Sequence, residues 1–125
     1  MNNQLEIGVP DDWHLHLRDG PEMASVVAHT ARQFARAIVM PNLNPPVTDT
    51  AQALAYRDRI LSALPQSAAF APLMTLYLTD SLAPEEIPIA KASGAVYAAK
   101  LYPAGATTNA EKGVTRLDRI YPVLD

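Results

Sequence analysis

The chain has 125 residues, long enough for one modest domain with a hydrophobic core. Hydrophobic residues make up 49% and charged residues 18%; with a net charge of −3 and scattered Lys and Arg, there is no electrostatic footprint for nucleic acid. Cysteine is absent, which removes disulfides and thiolate metal sites, and no apolar run approaches the ~18 residues of a membrane span.

In chain order, Met1-Asn2-Asn3-Gln4 lacks the basic and apolar regions of a signal peptide, and a cytoplasmic location is expected. A first strand is predicted over 13–17, within Asp12-Trp13-His14-Leu15-His16-Leu17-Arg18-Asp19. A helix follows from Pro21 to about Gln33, with Asp19 and Gly20 as its start signal. Residues 36–40 read as a short buried strand, and 41–46 as a proline-rich loop. Thr48 or Thr50 caps a long amphipathic helix carrying Leu54, Ile60, Leu61 and Leu64. A third strand spans 73–78. Pro84-Glu85-Glu86 opens a short helix that Pro88 is expected to distort and Gly94 closes. A fourth strand spans 96–102, a Gly- and Thr-containing loop runs over 103–113, and a last helical pattern covers 116–124.

This βαβαβαβα order predicts an α/β fold with a parallel sheet. Two architectures fit: a small open doubly wound sheet, or half of an eight-unit barrel, which needs about 250 residues.

His14 and His16 stand two apart in an alternating run. On a strand, both imidazoles share one face and can hold one metal ion, with Arg18 continuing on the same side. The bland alternative is two polar residues on the wet face of an edge strand. His29, on the first helix, is assigned no role. Lys100 lies in an otherwise apolar strand, where lost solvation favours a neutral amine able to form a Schiff base or a carbamate. It could equally snorkel to water. Asn42 sits in a stiff loop directly after the second strand, and Thr107 and Thr108 sit in a loop that could close as a lid. His14, His16, Arg18, Asn42, Lys100 and Thr107 all fall at strand ends or in the βα loops, the ligand-binding edge of parallel α/β folds.

Residues 11–20, 37–43, 45–48 and 99–103, with Ala106-Thr107-Thr108-Asn109, Pro72-Leu73-Met74-Thr75 and Tyr77-Leu78-Thr79-Asp80, together resemble bacterial dihydroorotases of the amidohydrolase superfamily along nearly the whole chain. That resemblance implies a TIM-type (β/α)8 barrel, of which residues 1–125 supply about the first four βα units. It also implies two zinc ions, with His14 and His16 on one of them and Lys100, carboxylated on its side-chain nitrogen, bridging both. Arg18 and Asn42 would grip the substrate carboxylate, and Thr107 and Thr108 would belong to a mobile loop closing over it. The implied reaction is the reversible cyclisation of N-carbamoyl-L-aspartate to (S)-dihydroorotate in pyrimidine synthesis. The implied partners are that small-molecule substrate and a second copy, with neither nucleic acid nor membrane. The family's remaining metal-binding histidines and catalytic aspartate have no counterpart in these 125 residues, so no catalysis is expected from the segment in isolation. A cyclic amidase of the hydantoinase or dihydropyrimidinase type and a non-catalytic barrel fragment needing another chain are the competing readings; Arg18 and Asn42 argue against the first.

Overall fold

The computed structural model describes residues 3–125. Its elements are β1 (Asp11–Leu15), α1 (Gly20–Ala31), β2 (Arg36–Val39), α2 (Thr50–Ala63), β3 (Ala71–Tyr77), α3 (Glu86–Ala92), β4 (Val96–Lys100), a 3-10 turn (Leu117–Arg119) and the short α4 (Tyr121–Leu124). The strands form one parallel sheet in the order β1-β2-β3-β4.

That order decides between the two architectures. A doubly wound sheet reverses direction at a switch point and places helices on both faces. Here each crossover moves to the next strand, and the helices share a face. Met23 and Val27 of α1, Ala53, Tyr56 and Ile60 of α2, and Ala90 of α3 all join one core with Val39, Met74 and Leu76 of the sheet. This is the winding of the first units of a TIM barrel.

The periodicities explain the packing. On α2, Ala53, Tyr56 and Ile60 recur at spacings of three and four and are buried, while the predicted core residue Leu54 is 37% exposed. The cap of α2 is Asp49, not Thr48 or Thr50; its carboxylate accepts from the Gln52 backbone N–H at 2.8 Å. Thr50 instead directs its backbone N–H and hydroxyl to Glu86, the first residue of α3. Asp49→Ala should therefore cost about 1 kcal/mol, read as a lower urea midpoint; an unchanged midpoint would contradict the cap.

Other expectations are corrected too: β3 runs from Ala71 to Tyr77 where 73–78 was expected, and β4 ends at Lys100 where the strand was expected to reach residue 102. β1 begins two residues early because Asp11 and Asp12 pair with Arg36 and Ala37, so His16 lies just beyond the strand. Pro88 does not distort α3: it is the third residue of the helix, where a backbone N–H has no intrahelical acceptor to lose. The final helix breaks in two, because a helix running through Pro122 would drive the proline ring into the carbonyl of Asp118. Among the described residues, no helix is long and apolar enough to cross a membrane.

Candidate metal centre

Alternation along the first strand and its exit sorts the side chains. Leu15 and Leu17 turn to the helix-side core, and Leu17 is 2% exposed. His14 and His16 emerge on the other side, with their Nε2 atoms 3.1 Å apart and ring centroids 5.1 Å apart. A backbone N–H···Oδ1 bond of 2.9 Å from His14 to Asp12 holds this stretch locally. The backbone then bends sharply: Arg18 has φ +62°, in the left-handed region that side chains disfavour.

Lys100 ends β4 directly across from Tyr77 of β3. Its Nζ lies 5.8 Å from the ring centroid of Tyr102, and the Tyr102 ring stacks on Tyr77 at 5.0 Å. The electrostatics tie these elements together. Partial desolvation, then the charges of Arg18 and His14, depress the His16 pKa below its usual 6.5; hydrogen bonding to Asn42 opposes this, and Lys100 adds a further push downward. His16 is thereby favoured as a neutral ring, the form that ligates metals.

Asn42 is 3% exposed and already engaged. Its Nδ2 donates to the Thr108 carbonyl at 3.0 Å, and Asn109 Nδ2 donates back to the Asn42 carbonyl at 3.0 Å. Tyr77 Oη donates to the Asn109 carbonyl, also at 3.0 Å. The 103–113 loop is thus latched to the β2 loop through Asn109, which itself has φ +55°. The side chains of Thr107 and Thr108 are exposed on this loop. His29 lies away from the site on α1, its Nδ1 2.6 Å from Arg32 Nη2.

The residues suit a metal. Zinc–nitrogen bonds of about 2.0–2.1 Å in a tetrahedron set two ligand nitrogens roughly 3.3–3.4 Å apart. The observed 3.1 Å between the two Nε2 atoms is within a small rotation of that edge. The Tyr102 hydroxyl is buried without a hydrogen-bond partner, a donor that an anionic oxygen would satisfy. Among the described residues, no three His, Cys, Asp or Glu side chains converge, and the close donor pair is the two imidazoles.

Tyr77, Tyr102 and Asn109 were not singled out from the sequence as members of this region. Tyr77 and Asn109 act through backbone carbonyls or long-range pairing, which composition and periodicity do not reveal.

No family model matches the chain. It is 70% identical over 116 residues to the dihydroorotase of Azoarcus sp. (strain BH72), covering 93% of this chain and 34% of that protein. It is 68% identical over 123 residues to the dihydroorotase of Delftia acidovorans, covering 98% of this chain and 35% of that protein. The chain thus spans about a third of the length of these curated relatives. The crystal structure of Campylobacter jejuni dihydroorotase matches with a TM-score of 0.83 at 38% identity, over 92% of this chain and 33% of that one. Saccharomyces cerevisiae dihydroorotase, solved in complex with 5-fluoroorotic acid, matches with a TM-score of 0.84 at 32% identity, over 93% of this chain and 32% of that one.

Proposed function

We propose that this segment, a homologue of dihydroorotases along nearly all of its length, supplies residues 1–125 of a (β/α)8 barrel that interconverts N-carbamoyl-L-aspartate and (S)-dihydroorotate in pyrimidine synthesis. The observation that carries this reading is the convergence of the His14 and His16 Nε2 atoms on one side of the sheet, in the electrostatic field of Arg18 and Lys100. His14 and His16 hold one zinc ion. Lys100, carboxylated on its side-chain nitrogen by addition of carbon dioxide with loss of a proton, would join the two imidazoles in holding a pair of zinc ions. Bound zinc supplies polarisation of the ring amide carbonyl and a water of lowered pKa.

The chain's own part is binding and orientation. Arg18 offers a fork of donors matched to the ring carboxylate. Asn42, whose amide nitrogen donates to the Thr108 carbonyl, would reach the carboxylate by exchanging that bond. Thr107 and Thr108 cover the bound ring, and the loop that carries them excludes water during ring opening. An orotate analogue bound to the yeast neighbour, with its ring carboxylate, supports an anionic ring as the ligand here. Hydantoins and dihydropyrimidines need carry no such carboxylate, which disfavours a general cyclic amidase. A cytoplasmic homodimer completes the proposal.

Arg18→Lys, in the protein that carries these residues, should raise KM for dihydroorotate about 10- to 100-fold, because an ammonium cannot reproduce two parallel donors. Steady-state kinetics on dihydroorotate, hydantoin and dihydrouracil provide the check. A protein that hydrolyses the uncharged rings faster than dihydroorotate sinks the proposal.

A further inference from the structure

We propose that Tyr56 is a positioning residue for Arg18, so that α2 sets the aim of the guanidinium from behind the site; this rests on the reading of Arg18 as the substrate-carboxylate ligand. Two residues of the chain corner leaving β1 are in the left-handed region, Arg18 at φ +62° and Gly20 at φ +65°, with Asp19 extended between them. Glycine takes such a conformation freely, but an arginine does not, and it persists only where its surroundings fix it.

The fixing contacts come from one helix. Tyr56 is 1% exposed, and its hydroxyl donates to the Arg18 carbonyl. Three residues on, on the same face of α2, Arg59 grips Asp19 with a two-pronged fork: Nε to Oδ1 at 3.0 Å and Nη2 to Oδ2 at 2.8 Å. The Arg59 guanidinium also sits 5.4 Å from the Tyr56 ring centroid. Asp19 Oδ1 in turn caps α1 by accepting from the Gly20 N–H at 2.9 Å. Two successive residues of the corner are therefore each held by a separate bond to α2. Burial, then the nearby Asp19 charge, raises the Tyr56 pKa far above its usual value, so the phenol stays protonated and keeps its donor.

A side chain aimed by its own backbone is only as well placed as that backbone. Without the phenol, the carbonyl of Arg18 is free to turn, and the guanidinium leaves its alignment with the carboxylate. Ground state and transition state carry the same carboxylate, so the loss should fall on KM and not on kcat.

The test is a double-mutant cycle in the protein that carries these residues, with zinc content and thermal midpoint measured for each variant. Tyr56→Phe should raise KM for dihydroorotate about five- to tenfold with kcat within twofold and zinc unchanged. In an Arg18→Lys background, the same change should move KM less than twofold. Arg59→Gln should shift KM in the same direction, and it carries the test should Tyr56→Phe not fold, since Arg59 is half exposed. If Arg18→Lys raises KM but neither α2 variant does, or if Tyr56→Phe acts equally with and without Arg18, the positioning role is overturned. If Arg18→Lys itself leaves KM unchanged, the carboxylate reading fails and takes this inference with it.

Discussion

His16→Ala, in the protein that carries these residues, is expected to cut turnover at least about a thousandfold and to lower its zinc content in parallel. Removing an outer partner of a metal ligand typically costs about 10- to 100-fold in affinity or activity. Removing the ligand itself must cost more, and His16 has no local understudy: among the described residues, no third His, Cys, Asp or Glu stands with the pair. The sign of the His16 shift sharpens the expectation. Its pKa is depressed, first by desolvation and then by Arg18 and His14. The shift favours the neutral ring, which is the form that ligates metals. His29→Ala is the matched control, since that imidazole sits on exposed α1 against Arg32. Metal analysis and kcat on the two variants decide the matter. Full zinc content with kcat within tenfold of the parent in His16→Ala would end the metal assignment.

The alternation of strand-like and helix-like runs was enough to read βαβαβαβα, because strand and helix periods differ and Pro and Gly mark the joints. Strand order was not readable. Four βα units fit either an open or a barrel winding until the register ties β1 to β2, β2 to β3 and β3 to β4. The α1 start at Asp19 was legible, but the α2 cap was not, for a local reason: Thr48, Asp49 and Thr50 are all good capping types, and only the backbone angles pick Asp49. At the site, His14, His16, Arg18 and Lys100 stood out because polar side chains interrupt apolar runs. Tyr56 did not, since a tyrosine at helical spacing looks like core, and it is core at every atom except its hydroxyl. The Asn42–Asn109 latch was equally silent, as it joins residues 67 apart through a backbone carbonyl.

Gly113→Ala should destabilise the protein by about 3 kcal/mol or more and loosen the loop that carries Thr107 and Thr108. A Cβ at Gly113 would lie 2.3 Å from the Tyr102 carbonyl oxygen, 3.0 Å from the Ala110 carbonyl oxygen and 3.1 Å from the Ala104 nitrogen. All three are backbone atoms, so no rotamer change relieves the overlap. The backbone itself is committed there. Val114 N–H donates to the Tyr102 carbonyl at 2.8 Å, Ala104 N–H to the Val114 carbonyl at 3.0 Å, and Gly113 N–H to the Ala110 carbonyl at 3.0 Å. Moving Gly113 away from Tyr102 pulls on the neighbouring Val114 bond and shifts the root of the loop. Typical overpacking costs 1–3 kcal/mol, and the upper end applies when the obstacle cannot turn aside. Gly105→Ala separates this steric effect from conformational strain. Gly105 has φ +71° with nothing within 4 Å of the added carbon, so it should lose only about 1 kcal/mol. Chemical denaturation of both variants gives the ranking. Equal losses, or a larger one at Gly105, would mean that the close approach to Tyr102 is not what makes Gly113 necessary.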